Sequence, residues 1–512
     1  MTRPIERLIM NKTVYRLRSA FMVGMLAFAI GCSRNDPPAP GGARQIRTAA
    51  DLKGVRVAQF ANDFHKQELE ALQPEMSVEQ YSEYSFAFES LRKRKLDAIS
   101  LGKSYADIWI AKFPGEFRIA FELSKDFSSF LYPKKSVWGE RIDAEIRKMN
   151  AAGETAAIIK KWQTAAEKGE TPELPDLPKP PEGAPVIRTA SAAQAEPWCF
   201  VAGDRLVGID IEILSLIAHR LGARLEPKIY NWGGMIDAVN AGRCDVANGH
   251  IYTNGLKFPT VDISEEYADE MLCVLVRDES GARESSGLIS FVRSLKASFI
   301  RTFLTEERWR MLLKGLGITL LITFLASLLG TLFAFPVWRA RTSENRLVSA
   351  VARAYISILQ GTPVLVLLMI LFYIVFGSVD LDGLWVAVIG FAMNSSAYIA
   401  EMLRSGVDSV PIGQMEAALA LGYHHRRAFF RFVLPQAVKT ILPVYRGELV
   451  GLLKSTSIAG YIAINDLTKA SDLIRSRTYE AFFPILTTAF VYFVLSWLMA
   501  AGIGKIGGRA GK

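Results

Sequence analysis

No GxxxxGK(S/T) phosphate loop occurs in the 512 residues, so the chain does not hydrolyse ATP itself. Zinc-ligand spacings, a nucleophile elbow and a His-Asp-Ser grouping are missing too, which argues against an enzyme. Cysteine is scarce, at four residues. Three of them, Cys199, Cys244 and Cys273, fall in one segment. One disulfide and plain burial as small apolar side chains both remain open, and three candidates fix no pairing. Charge is absent from the runs 315–338, 354–379, 383–400 and 481–504. Each approaches or exceeds the roughly 20 residues that a spanning helix needs. A fifth run, 436–457, is interrupted by Lys439, Arg446, Glu448 and Lys454. Five spans are expected.

Half of the residues are apolar and the mean hydropathy is +0.19, an average that hides a soluble half and a membrane half. The net charge of +9 does not require nucleic acid. Much of it flanks the apolar runs, where Lys and Arg mark the cytoplasmic side. Arg339, Arg341, Arg346, Arg404, Arg426, Arg427 and Arg431 then lie inside, with Lys505, Arg509 and Lys512, and the segment before the first span lies outside. The N-terminus agrees independently. Arg3, Arg7, Lys12, Arg16 and Arg18 precede a short apolar run, 20–31, that reads as a signal-peptide core. Its end, Ala29-Ile30-Gly31-Cys32, resembles a lipoprotein cleavage box with Cys32 as the acylated residue.

Composition divides the chain into a signal peptide (1–32), an α/β block (46–166), a Pro-rich linker (167–185), a second α/β block (186–278), a connector (279–310) and a membrane domain (311–506). The linker contains TPELPDLPKPPEGAP, which stays extended and semi-rigid.

The membrane half carries EAALALGYHHRRAFFRFVLPQA, 416–437, between apolar runs. Its order and spacing resemble the EAA loop of permease subunits in binding-protein-dependent ABC importers. The stretches LQGTPVLVLL (359–368), NSSAYIAEMLRSGVDSVPIGQMEAALALG (394–422) and LLKSTSIAGYIAINDL (452–467) extend the resemblance, with Gln360 where the family commonly has arginine. It implies that Glu416, Ala417, Ala418 and Gly422 form a coupling helix and hinge docked on a cytoplasmic ATPase. The small alanines allow a close approach, and the glycine permits the turn. Arg426 and Arg427 are read rather as anchors to lipid headgroups. Arg446, Glu448 and Lys454 share one span, where ionisable residues are costly. They are candidates for the translocation path or for an internal charge network.

The second α/β block contains AEPWCFVAGDRLVGIDIEILSLIAHRLGARLE and WGGMIDAVNAGRCDVANGHIYTNGLKFPTVDIS, which resemble the first lobe of polar amino-acid binding proteins. The first block, from DLKGVRVAQF to IIKKW, resembles their second lobe and closing helix. The implied fold is a type II bilobal periplasmic-binding-protein-like clamp, circularly permuted, followed by an all-α five-span permease. The resemblance puts Trp198, Phe200 and Asp210 at the ligand, with Asp210 at the opening of a core helix, and aligns Lys257 with the family's carboxylate-gripping arginine. It aligns Asn62-Asp63 with a Gly-Thr pair and Gly102 with the aspartate that receives an ammonium group. Core packing is the competing reading of Trp198 and Phe200, and Tyr230 and Trp232 are read as core.

The expected function is a fused importer subunit for polar amino acids or related small polar solutes, in the bacterial inner membrane with its clamp on the periplasmic or extracellular side. Its expected partners are cytoplasmic ABC ATPase subunits that consume the ATP, a second permease copy or homologue, the small polar solute and membrane lipid, but no nucleic acid. The chain itself is expected to hold no cofactor or metal. Two alternatives stand: a sensory receptor, and a permease whose clamp serves only for docking. A receptor is expected to carry a signalling segment after its last span, and eight residues follow Gly504.

Overall fold

The computed structural model describes residues 45–60, 66–253, 259–278, 295–377, 379 and 381–509. Cys32, Asp63 and Lys257 lie outside the described residues.

Strand-forming runs in both α/β blocks join one sheet in the order β2-β1-β3-β11-β4-β9-β5-β8, with β10 paired to β4. Lobe A holds β1 (Arg56–Phe60), β2 (Ser77–Tyr81) and β3 (Ala98–Gly102), with helices α1 (Lys66–Leu72), α2 (Tyr84–Arg92) and α3 (Lys103–Lys112). Lobe B holds β5 (Val186–Ala192), β8 (Arg224–Tyr230), β9 (Val246–Tyr252) and β10 (Val261–Ile263), with α6 (Ile209–Arg220) and α7 (Trp232–Asn240). Its short hairpin of β6 (Phe200–Ala202) and β7 (Arg205–Val207) stands apart from the main sheet.

The 17-residue β4 (Phe117–Pro133) joins the lobes. Its first part pairs with β11 (Ala268–Arg277), and its last residues pair with β9 and β10. The chain therefore crosses between the lobes at β4 and returns from β10 to β11. Each lobe has the same arrangement: three parallel strands, then a crossing strand, then an antiparallel partner. That is the permuted clamp, with one refinement. The blocks are not quite the lobes, because each lends a strand to the other.

Of the closing helices, α4 (Gly139–Ala151) packs on α6 of lobe B, and α5 (Glu154–Glu167) lies across the lobes against α3 and α6. Trp162 is fully buried and donates its indole N–H to Glu212 Oε2 of α6 at 2.7 Å. The three described cysteines are free and buried, which settles them as packing residues.

The membrane half is helical: α8 (Trp309–Arg341), α9 (Arg346–Gly361), α10 (Val364–Val375), α11 (Gly383–Asp408), α12 (Gly413–Ala420), α13 (Leu434–Ser455), α14 (Leu467–Thr478) and α15 (Phe482–Arg509). Helices occupy all five expected spans. Among the described residues α8, α11 and α15 are long and apolar enough to cross a membrane by themselves. The second expected span is bent by 109° between α9 and α10. Pro363 starts the second piece without an N–H to donate and disfavours helical geometry at Thr362, so the run breaks there. The fifth run, α13, is a continuous 22-residue helix despite Pro443 and its charges.

Trp162→Ala is expected to weaken the clamp by about 3–5 kcal/mol through the lost ring and the cavity left behind. Urea titration of the full chain, read by hydrogen exchange over residues 154–220, checks this. Unchanged protection would mean that α5 does not close the clamp.

Candidate functional site

The cleft between the lobes is lined by Phe60, Tyr84 and Tyr105 from lobe A and by Ala192, Gln194, Ala195, Trp232, Gly249, His250 and Tyr252 from lobe B. The space between them is only about 20 Å³, so the lobes are closed on each other. Phe60 meets Trp232 across the cleft with ring centroids 5.3 Å apart. Trp232, expected in the core, is thus a cleft residue.

Trp198, Phe200 and Asp210 do not border this space. Trp198 lies flat against His250 at 3.7 Å, one layer behind, and its Nε1 donates to Ser104 Oγ of lobe A at 3.0 Å. Phe200 packs near Trp162 on the far side. Asp210 is fully buried and accepts hydrogen bonds from the Gly249 and His250 amides and the Tyr267 hydroxyl. Burial pushes its carboxyl up to about 6, against these bonds. Its place is to hold the irregular stretch of β9 that presents His250. Tyr230 is core, as expected.

A second constellation escaped the sequence reading. The helix α14, between the last two spans, reaches into the clamp and touches both lobes. Asp466 caps its N-terminus through the Thr468 and Lys469 amides. Arg475 pairs with Glu83 of lobe A and lies 4.0 Å over the Phe86 ring. Tyr479 is buried against Trp109 and Phe88 of lobe A, at 5.2 and 5.5 Å. Arg477 pairs with Glu196 of lobe B, lies 4.5 Å over Phe200, and reaches Glu306 at 2.9 Å. Glu196 is itself paired across the cleft with Lys112 of lobe A. Burial alone drives a carboxyl up, but the charges of Lys112 and Arg477 outweigh it and hold Glu196 at about 2.

Lobe B makes a further contact nearer the other spans. Arg243 donates to the carbonyls of Phe372 and Phe376 at 2.6 and 2.7 Å, and its guanidinium lies 3.7 Å over the Phe372 ring.

The residues expected to form the coupling helix, 416–422, lie at the opposite end of the membrane helices. The helix α11 starts at Gly383 beside Arg243 and ends 26 residues later at Asp408, a length of about 39 Å. Beyond it α12 exposes Glu416 and Ala417 and buries Ala418. Gly422 has φ +85, and Tyr423 N and Gly422 N donate to Ala418 O and Leu419 O, which closes the helix as a Schellman motif. Ile412 and Leu421 are each 76% exposed on the same loop, beside exposed Arg426 and Arg427. Behind it, Glu401 joins Arg341 and Arg404.

Of the three charges on α13, Glu448 is half-buried and accepts from Ser395 Oγ of α11 at 3.3 Å. Arg446 and Lys454 are exposed. The structure does not bring the three together.

A bilobal clamp seated on a helical membrane domain defines a transporter subunit that carries its own solute-binding domain. Residues 326–504 match the family of binding-protein-dependent transport system inner membrane components. Residues 187–411 match bacterial extracellular solute-binding proteins, family 3. That second match begins at β5 and runs past β11 into membrane helices, leaving out the lobe that precedes it, as a permuted order entails. A probable amino-acid ABC transporter permease protein, YckA of Bacillus subtilis (strain 168), is 33% identical over 211 residues, covering 41% of this chain and 93% of that protein. The nopaline transport system permease protein NocM of Agrobacterium fabrum is 33% identical over 232 residues, covering 40% and 95%. A crystal structure of an amino acid ABC transporter with histidines is 31% identical, covers 44% of this chain and all of that one, and has a TM-score of 0.37. The chain belongs to the binding-protein-dependent transport system inner membrane component family, as a multi-pass permease fused to a solute-binding domain.

Removing one partner of a buried ion pair costs about 3–5 kcal/mol. Arg477→Met is accordingly expected to raise hydrogen exchange over 193–200 and 467–480. Because Glu196 titrates below its ordinary range, its stabilisation is complete above about pH 4.5 and is lost as pH falls towards 2. Acidification through that window should loosen the wild type at these segments more than it loosens Glu196→Gln, in which Glu306 still faces Arg477. Equal acid responses would remove Glu196 from the junction.

Proposed function

We propose that this chain imports amino acids or related small polar solutes, with the clamp on the periplasmic side and α12 on the cytoplasmic side. ATP is hydrolysed by separate ATPase subunits that receive α12 in a surface groove. The observation that carries this reading is the placement of dock and coupling loop at opposite ends of one helical bundle.

The chain path supplies a mechanism. From α12 it runs on to α13, 22 residues or about 33 Å long, and through residues 456–466, which include the 3-10 helix Thr456–Ile462, reaches α14, which grips both lobes. A displacement of α12 by ATPase closure is passed along α13 to α14 and so to the clamp. Exposed Arg446 and Lys454 on α13 are costly against lipid, so that face meets a second permease copy, or a homologue, around the solute path. The similarity to an amino-acid permease and a nopaline permease supports the solute class.

Glu416→Lys and Gly422→Val are each expected to lower solute-stimulated ATP hydrolysis of the assembled complex at least about tenfold, equivalent to 1.4 kcal/mol. Solute binding to the clamp, measured by calorimetry, should stay intact. Normal stimulated turnover in both variants would contradict the coupling role.

A further inference from the structure

A cavity of about 600 Å³ lies between lobe B and the clamp-facing ends of the membrane helices, and it shares no lining residue with the interlobe cleft. Its floor is apolar. Ile318 lies in the first turn of the charge-free run 315–338, Leu384 in the first turn of 383–400, and Phe372 near the end of 354–379. The floor therefore sits where three spans leave the hydrocarbon. Trp385, 49% exposed next to Leu384, is the residue type that collects at that depth. Val379, 54% exposed and also in the lining, closes the second apolar run, so the cavity meets the edge of the bilayer.

The roof is cationic. Arg188 and Lys228 reach the cavity from β5 and β8, and Arg243 from the turn after α7. Arg188 pairs with Asp245 and Lys228 with Glu226, but neither carboxylate is among the lining residues. The Lys228 pair is 3.4 Å long with both side chains about two-fifths exposed, so it holds its ammonium weakly. The carbonyls of Phe372, Phe376 and Leu381 fix the Arg243 guanidinium in place. One carboxylate, Asp382, lines the cavity, and it caps α11 by accepting from the Leu384 amide. Three cations against one anion make the wall positive, and the apolar floor focuses that field.

The two surfaces select an anionic amphiphile. A free oxyanion gains nothing from the floor, and a neutral apolar molecule gains nothing from the roof. A phospholipid brings a phosphate and upper acyl carbons at fixed separation, and an anionic headgroup gains about 1 kcal/mol per nearby Lys or Arg.

We propose that this cavity binds the headgroup of an anionic phospholipid, with its phosphate under Arg188, Lys228 and Arg243 and its acyl end on Ile318, Phe372 and Leu384. The bound lipid adds a second seam between lobe B and the spans, beside the Arg243 contact. The inference requires only that the clamp sits on the membrane domain, and it is independent of the solute carried.

Native mass spectrometry of the full chain, released from detergent micelles holding phosphatidylglycerol and phosphatidylcholine at equal concentrations, tests this. The expected result is retention of one phosphatidylglycerol in preference to phosphatidylcholine. Lys228→Glu, a full charge reversal under the phosphate, should weaken that retention about tenfold or more. Asp382→Asn keeps a capping side chain on α11 and removes the opposing charge, so it should strengthen retention about fivefold. Opposite signs from the two variants cannot come from loss of folding. Equal retention of the two lipids, or phosphatidylglycerol retention that neither variant changes, would overturn the proposal. Release of the lipid by inorganic phosphate or glutamate would overturn it too, by showing a site for free anions.

Discussion

One buried carboxylate, Glu196, holds three bodies together. Lys112 of lobe A and Arg477 of the membrane domain both converge on it from opposite sides, and Glu196 itself belongs to lobe B. With side chains 4% and 7% exposed, Glu196 and Arg477 have little water to fall back on. Ion pairs this deep contribute modest net stability, but losing one partner leaves a stranded charge. Their effect is to make one arrangement of the three bodies far better than its neighbours. Lobe closure and clamp docking are therefore linked at a single side chain, and Tyr479 and Arg475 extend the link through lobe A.

That constraint gives the permuted order a physical sense. The chain leaves the clamp from β11, on the lobe A side of the sheet, so the fusion need not fix the orientation of lobe B. The helix α14 supplies the missing restraint by reaching both lobes. It also follows α12 and α13 in the chain, so the element that holds the clamp is close in sequence to the element proposed to meet the ATPase. A two-state displacement of α14 is the simplest physical route between them.

Much of this was legible in the sequence, for identifiable reasons. Charge-free runs mark spanning helices, and positions 416–422 have the shape of a capped helix because alanines favour it and Gly422 ends it. The two blocks read as the lobes of one clamp, although the exchange of strands β4 and β11 is set by tertiary pairing and leaves no local trace. Trp232 was misplaced because periodicity alone does not separate a core tryptophan from one on a cleft wall. The bend between α9 and α10 was signalled by Gly361-Thr362-Pro363 inside an unbroken apolar run. The dock carried a clue as well. On the proposed orientation Lys469, Arg475 and Arg477 sit on the outer side, against the usual bias, and such an exception calls for acidic partners. Those partners, Glu83 and Glu196, lie hundreds of residues earlier, beyond the reach of any local pattern.

The central claim is that the clamp moves with the membrane domain because α14 grips both lobes. The most direct test places spin labels at exposed Lys93 of lobe A and Arg224 of lobe B in the assembled complex, and compares interlobe distances without nucleotide and with ATP and vanadate. The account predicts a shifted distribution on nucleotide trapping that disappears in Arg477→Met. Identical distributions in every nucleotide state would show that the dock is a passive tether and contradict it.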